Sequence, residues 1–519
     1  MKKIFFVSCL YANMIFSQDK SLSKLTPEIA SAKIKSGNYE AALSDYLKLL
    51  STDIKNVSYN YNVGVCYLNT NFNKAKAIPY LEIAARSQAI DKNVKYLLGR
   101  AYQFANRFDD AINVFVKFKE EGKGSISNLT DADLQVQHCL NAKELLKYPV
   151  DVDFQNIGDN INSDFDDYNP SIDAEENFII YNSKRFENGG DNFENKKFRN
   201  IIYKSKAIDG NFLKATIVDF PGVIDTIDFE AIGLSATGEK LVLRKSGVNG
   251  GGIYISNVEK GNVFSKPEKL DFRVNSQGDE IAASISSDGN TLFFSSNRKG
   301  GFGGKDIYYT KKTIDGKWSV PVNAGSSINT IYDEDYPNLS PDNGTLYFSS
   351  KGHSSIGGYD IFKSSISDAE KKFSTPKNIG FPINTTDDDI NFKISKNGKS
   401  GYVASSRNTS RPNLDIFKII FNEVESDYSV VIGELYTKEN IPVNYSESFI
   451  SIRDNVTNEL INNYVPNPSS GRFVIILPPG KYQLNIETKG FQNITKVIEV
   501  FDKSSYQSEI TLALKLVKE

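Results

Sequence analysis

The sequence predicts a multidomain chain in three parts: an all-α helical solenoid, a five-bladed β-propeller and a small β-sandwich. Three observations predict it. A central stretch nearly repeats itself every 54 or 55 residues; apolar residues ahead of residue 148 recur at helical spacing; and the stretch from Tyr428 to Val517 alternates apolar and polar residues in short runs. A length of 519 residues exceeds what one core usually supports. At 39% hydrophobic and 24% charged the chain is ordinary globular protein, and 33 Phe with 27 Tyr favour sheet outside the helical part. Its net charge of −3 lacks the basic excess that nucleic-acid binding calls for.

The central repeat is explicit. Ile285-Ser286-Ser287-Asp288-Gly289-Asn290-Thr291-Leu292-Phe293-Phe294-Ser295-Ser296 returns as Leu339-Ser340-Pro341-Asp342-Asn343-Gly344-Thr345-Leu346-Tyr347-Phe348-Ser349-Ser350. Each unit reads as an apolar strand, a turn that needs positive φ, a strand of aromatics and serines, a glycine-rich loop, and a third strand opening on Asp306-Ile307-Tyr308, Asp360-Ile361-Phe362 or Asp415-Ile416-Phe417. Four-stranded units of this length are propeller blades. A linker signature counts them: Ile161-Asn162-Ser163, Ile224-Asp225-Thr226, Val274-Asn275-Ser276, Ile328-Asn329-Thr330 and Ile383-Asn384-Thr385 give five blades within residues 152–421. The last unit lacks a fourth strand, while Asp153 to Gly158 resembles the fourth-strand segment Pro376 to Gly380. The earlier segment is therefore expected to complete the last blade and close the ring, which removes open sheet edges.

Residues 25–147 change character. Gly37, Tyr39, Ala42 and Tyr46, then Gly64, Tyr67, Phe72 and Ala75, then Gly99, Tyr102, Phe108, Ala111 and Phe115 recur at 33 to 36 residues. This resembles the tetratricopeptide repeat, in which small residues let paired helices approach closely. Three repeats and a capping helix around Asp131 to Lys147 are expected, with a helical face for a protein partner whose residues the sequence does not single out. Cys66 and Cys139 fall in these helices and read as buried free thiols.

The third part, residues 428–517, carries Val431 to Leu435, Phe449 to Ile452, and Pro478-Pro479-Gly480 as a turn leading into Tyr482, Leu484 and Ile486. It resembles the carboxypeptidase-regulatory-like fold. The first 17 residues, with Lys2-Lys3, an apolar run from Ile4 to Phe16 and a small residue at Ser17, read as an export signal that is too short to span a bilayer.

In order, an export signal, tetratricopeptide repeats, a TolB-like propeller and a regulatory-like sandwich resemble the PorE-like envelope proteins of the OmpA family in Bacteroidota. The resemblance implies a periplasmic protein associated with the outer membrane, with protein partners that include an outer-membrane protein, and suggests type IX secretion or gliding. Members usually end in an OmpA-like peptidoglycan-binding domain. This sequence stops at Glu519, where that domain would begin, so no residue inherits that role.

Motifs for catalysis are sparse. Only His138 and His353 are present, in different predicted parts, and Gly233-Leu234-Ser235-Ala236-Thr237 lacks the final glycine of a nucleophile elbow. Gly300 to Lys305 joins two strands rather than opening a helix, unlike a phosphate loop. One constellation stands out. Acids follow the linker signature in every blade: Asp164, Asp166 and Asp167; Asp228 and Glu230; Asp279 and Glu280; Asp333, Glu334 and Asp335; Asp387, Asp388 and Asp389. Their recurrence places them at one end of the ring, where converging charge favours a cation or basic partner. The alternative is that they cap loop backbones blade by blade. The expectation is a non-enzymatic periplasmic scaffold or adaptor, without cofactor or metal, linking an outer-membrane complex to other envelope components. The alternative is a propeller module that binds a ligand, cation or glycan.

Overall fold

The computed structural model describes residues 25–147, 149–186, 198–223, 229–247, 251–259, 261–367, 372–407, 413–422, 429–437, 441–468, 470–500 and 509–519. The leader-like residues 1–17 and the linker signature at 224–226 lie outside them.

The expected fold class needs correction. Among the described residues the protein is mostly β, with 38% strand and 21% helix, and a large all-α tetratricopeptide solenoid is not seen. The helices among the described residues are α1 (Pro27–Lys35), α2 (Tyr39–Thr52), α3 (Val57–Leu68), α4 (Ile78–Ala84), α5 (Val94–Phe104), α6 (Phe108–Glu121) and α7 (Ile126–Leu145). Asn38, Asn56 and Ser125 cap the N-termini of α2, α3 and α7 through their side-chain oxygens. The small residues that suggested a solenoid have a pairwise cause: a Cβ on Gly64 or Gly99 would come within 2.5 Å of Leu81 or Phe115. Such close approach needs only two neighbouring helices. Surface of α5 and α7 is turned onto the propeller instead of lining an open concave face, as described below.

Residues 152–421 form five antiparallel sheets, the blades of a β-propeller. Blade one has Asp167–Ile172 innermost, then Phe178–Phe186, Phe198–Ile208 and Asn211–Phe212. Blades two, three and four repeat this order from Phe229–Leu234, Glu280–Ile285 and Glu334–Leu339. Blade five runs Lys393–Ile394, Ser400–Ser405 and Asp415–Phe421, and its outer strand is Val152–Asn156, paired from Val152↔Phe421 to Asn156↔Phe417. The ring thus closes with a strand from the start of the propeller segment.

The linker asparagines explain the signature physically. Asn162, Asn275, Asn329 and Asn384 each accept a backbone N–H and donate to the backbone C=O of one isoleucine in the preceding blade: Ile416, Ile253, Ile307 and Ile361, at 2.6–3.0 Å. One amide side chain thereby imitates a strand partner and sews each linker to the blade before it. Asn162 does this across the closure, on Ile416 of blade five.

The last part is a two-sheet sandwich. Ser429–Tyr436 lies between Arg472–Leu477 and Glu509–Lys515, the latter parallel to it, and faces a sheet in the order Leu460–Tyr464, Ser448–Asp454, Gly480–Thr488, Ile494–Val500. Val431, Ile450, Ile452, Ile475, Leu484 and Ile486 fill the core between them.

The helical segment is seated on blade four. Ile356, in the loop between the second and third strands of that blade, is fully buried in the hydrophobic cluster of the helices. Around it, Asn141 donates to Ser355 O at 2.8 Å and Gln103 to Ile356 O at 3.5 Å, while Lys74 pairs with Asp387 of the next linker at 2.5 Å. His138 is 1% exposed, with Nε2 3.0 Å from Lys351 O, and its Nδ1 has no partner. Burial holds this imidazole down at about 4, so it is neutral in the fold. An unfolded histidine binds a proton below about 6.5 and the folded one does not until about 4, so acidification across that window favours unfolding. Lowering pH from 7 to 4.5 should therefore cost the wild type ~2 kcal/mol more stability than His138→Gln, measured by denaturant titration of both proteins at each pH. Parallel pH–stability curves would remove His138 from this role.

Candidate functional site

The inner strands run along the propeller axis, so their first residues share one mouth. Most of the acids predicted there are committed to the scaffold. Asp167, Glu280, Glu334 and Asp389 each accept the backbone N–H and hydroxyl of a residue four positions earlier, Ser163, Ser276, Thr330 or Thr385. Asp166, Asp333 and Asp388 each reach back to a backbone N–H of the preceding blade, that of Leu414, Lys305 and Tyr359, at 2.9–3.1 Å. Asp387 is taken by Lys74, and Asp279 is exposed at the rim. Asp228 lies outside the described residues. Among the described residues no group of three or more His, Cys, Asp or Glu is placed to hold a metal ion. The capping alternative thus accounts for this set better than a cation site.

Three of the hydroxyl-bound acids carry an arginine that the sequence reading missed: Asp167 pairs with Arg185 at 3.5 Å, and the other two pairs share a fuller pattern. Arg298 donates to Ser296 Oγ, Arg273 O, Val274 O and Glu280, and Arg407 repeats every bond with Ser405 Oγ, Pro382 O, Ile383 O and Asp389. Burial pushes the Asp389 carboxyl up to about 7 even against Arg407. The available signal was a common offset: each arginine lies two residues after the serine that ends its blade's second strand, Ser296 or Ser405.

Beside these spent acids the mouth holds a second set, contributed by blades one to four. Glu230 accepts from Asn200 Nδ2 at 2.6 Å and Arg244 Nη1 at 3.3 Å, and burial, then the charge of Glu230, raises the Tyr168 phenol well above its ordinary value. Asp335, fully buried, accepts from Ser295 Oγ at 2.6 Å and Lys305 Nζ at 2.8 Å. Tyr336 packs edge-on against Tyr359 with ring centroids 6.2 Å apart. Burial, then the charges of Asp335, Asp388 and Glu230, raises the Tyr336 phenol well above its ordinary value. Its φ is +49°, a left-handed conformation rarely taken by a bulky residue. Asn169 and Asn391 hold the same bulge position in blades one and five, with φ of +52° and +56°. Asparagine tolerates that backbone easily; a tyrosine there is strained, and such strain concentrates at working sites.

At the other end of the axis lies a cavity of about 550 Å³, lined by turns from all five blades, among them Glu175, Thr237, Ser287, Asp342 and Lys396, and by Pro479 of the sandwich. Glu175 and Lys396 close its rim as an ion pair at 2.6 Å.

No family model matches the chain, and no curated protein matches it. Several solved structures are similar to it. An α-L-arabinofuranosidase from Lactobacillus brevis shares 11% identity over 51% of this chain and 94% of its own, with a TM-score of 0.32. A glycosyl hydrolase from Bacteroides ovatus shares 11% over 49% and 84%, with a TM-score of 0.29. The GH43 protein BlXynB from Bacillus licheniformis shares 11% over 65% and 76%, with a TM-score of 0.25. Likeness at these levels transfers neither activity nor site. The expectation of a non-enzymatic chain is nevertheless withdrawn, since enzymes are among the structures similar to it and the expectation rested on missing motifs alone. The physical reason is that sugar-cleaving chemistry needs only two carboxylates, which leave no histidine cluster or nucleophile elbow in a sequence. The absence of those motifs therefore had no power to exclude an enzyme.

Proposed function

We propose that the propeller is a binding module for a glycan, held at the axial mouth. The observation that carries this reading is the meeting of three tyrosines, Tyr168, Tyr336 and Tyr359, with the ion pairs Glu230–Arg244 and Lys305–Asp335. Aromatic faces suit the apolar side of a sugar ring, and paired carboxylates and cations present acceptors and donors together, as a polyhydroxylated ligand requires. The leader-like residues 1–17 support export, so the ligands to try are those of the cell envelope and its surroundings.

Full-length protein titrated calorimetrically with a panel of such oligosaccharides should bind at least one of them. Tyr336→Ala and Arg244→Ala should each weaken that binding tenfold or more, which corresponds to about 1.4 kcal/mol. Products released by wild type and lost in Glu230→Gln or Asp335→Asn would make the same site catalytic. A panel with no binder, together with co-purification of an outer-membrane protein, would replace the glycan reading with the adaptor reading drawn from the resemblance to PorE-like envelope proteins.

A further inference from the structure

At the waist of the propeller, four residues beyond the start of the inner strand in blades one to four, the strand registers set one ring of equivalent positions: Ser171, Gly233, Ser284, Asn338 and Lys393. Lys393 is the only charged residue in it. Its ammonium is enclosed by the blades, the residue as a whole is only half-buried, and among the described residues no carboxylate pairs with it. Its hydrogen-bond partner is Asn338 Oδ1.

That contact fixes the orientation of the amides around it. A protonated lysine only donates, so with Lys393 charged Asn338 turns its oxygen toward it and its Nδ2 away. Asn338 Nδ2 then donates to Asn391 Oδ1 at 3.1 Å, and Asn391 Nδ2 donates to Asn169 Oδ1 at 3.0 Å. Every amide oxygen in this relay already accepts one hydrogen bond, whereas among the described residues hydrogens on Lys393 Nζ and the Asn169 amide have no partner. The Ser171 hydroxyl, at the ring position of blade one, is buried without any partner. With Lys393 protonated the waist therefore has donors to spare, a positive charge and, among the described residues, no counter-charge, an arrangement costly to bury unless an acceptor of opposite sign completes it.

We propose that the waist of the propeller channel is a binding site for a small oxyanion, a carboxylate or a phosphate, with Lys393 as its charged anchor. Burial holds the Lys393 amine down at about 7, in keeping with the missing counter-charge. The oxyanion is either free or the acidic end of a ligand that enters from the mouth. The site does not depend on the glycan reading, because the relay and the unpaired charge exist without it.

The test is thermal unfolding of the full chain near neutral pH with acetate, inorganic phosphate, glucuronate or glucose, each against sodium chloride of equal ionic strength. At least one oxyanion should raise the midpoint beyond chloride, as a ligand specific to the folded state does. Glucose supplies no charge and should not act through this site. Glucuronate acting where acetate and phosphate do not would assign the oxyanion to a sugar acid entering from the mouth. Lys393→Met and Lys393→Gln should abolish the effect. Wild type that responds to no oxyanion beyond chloride overturns the proposal, with no variant needed. An equal response in a folded Lys393 variant overturns it as well.

Discussion

Arg407→Met is expected to destabilise the propeller by about 3–5 kcal/mol, the range seen when one partner of a buried ion pair is removed. Arg407 makes four kinds of contact at once: it bonds Ser405, spans Pro382 O and Ile383 O of the linker, meets Asp389 at 3.2 Å, and stacks over Phe154 with its guanidinium 4.2 Å from the ring centroid. Phe154 belongs to the strand that closes the ring. Loss of the guanidinium would strand two backbone carbonyls and the Asp389 carboxyl inside the protein and loosen the closing strand together with them. Trp318, the single tryptophan and 5% exposed, lies in blade three, so its fluorescence reports unfolding of the ring without sensing the substitution directly. A denaturation midpoint equivalent to less than about 0.5 kcal/mol of change would show that the clamp is dispensable.

Ile356→Ala should cost about 2–5 kcal/mol, and Ile356→Asp should separate the helices from the propeller. This side chain is the apolar plug of blade four in the helical core, and its neighbour Gly357 packs against the backbone of Thr386 so closely that a Cβ would lie 2.4 Å from it. The loop has no room to shift and refill the space. In wild type, the helical circular dichroism and Trp318 fluorescence should lose signal in one coincident transition. In Ile356→Asp they should divide into two, with the helices melting first. Coincident transitions in the aspartate variant would mean that the polar contacts of Asn141, Gln103 and Lys74 suffice to couple the parts.

Much of the architecture was legible because its determinants are local. The spacing of 54 or 55 residues follows the blades, and the turns at Gly289 and Asn343, with φ of +69° and +62°, are written in Asp288-Gly289 and Asp342-Asn343. The linker asparagines were visible as a signature but not as a mechanism, since their partners are isoleucines 22 to 254 positions away. The acids allow two readings in the sequence, a convergent charged site or caps repeated blade by blade, because recurrence marks equivalent positions without telling which are free. Most of them are held by a hydroxyl, an N–H or a cation. The helical part reads in the sequence as a tetratricopeptide solenoid of three repeats and a capping helix because Gly64 and Gly99 report a close neighbour without saying what covers the helices.

The sequence by itself determined the repeating sheets, their turns and the apolar faces of helices and strands, all of which depend on residues within one unit. Tertiary structure alone decided which groups remain unspent. Tyr168, Glu230, Arg244 and Tyr336 come together only because the ring brings the starts of separate inner strands to one mouth. Lys393 is an ordinary lysine in a short strand until the blades enclose it without a carboxylate. Burial and pairing are properties of the closed ring, and chemistry at its axis follows from them.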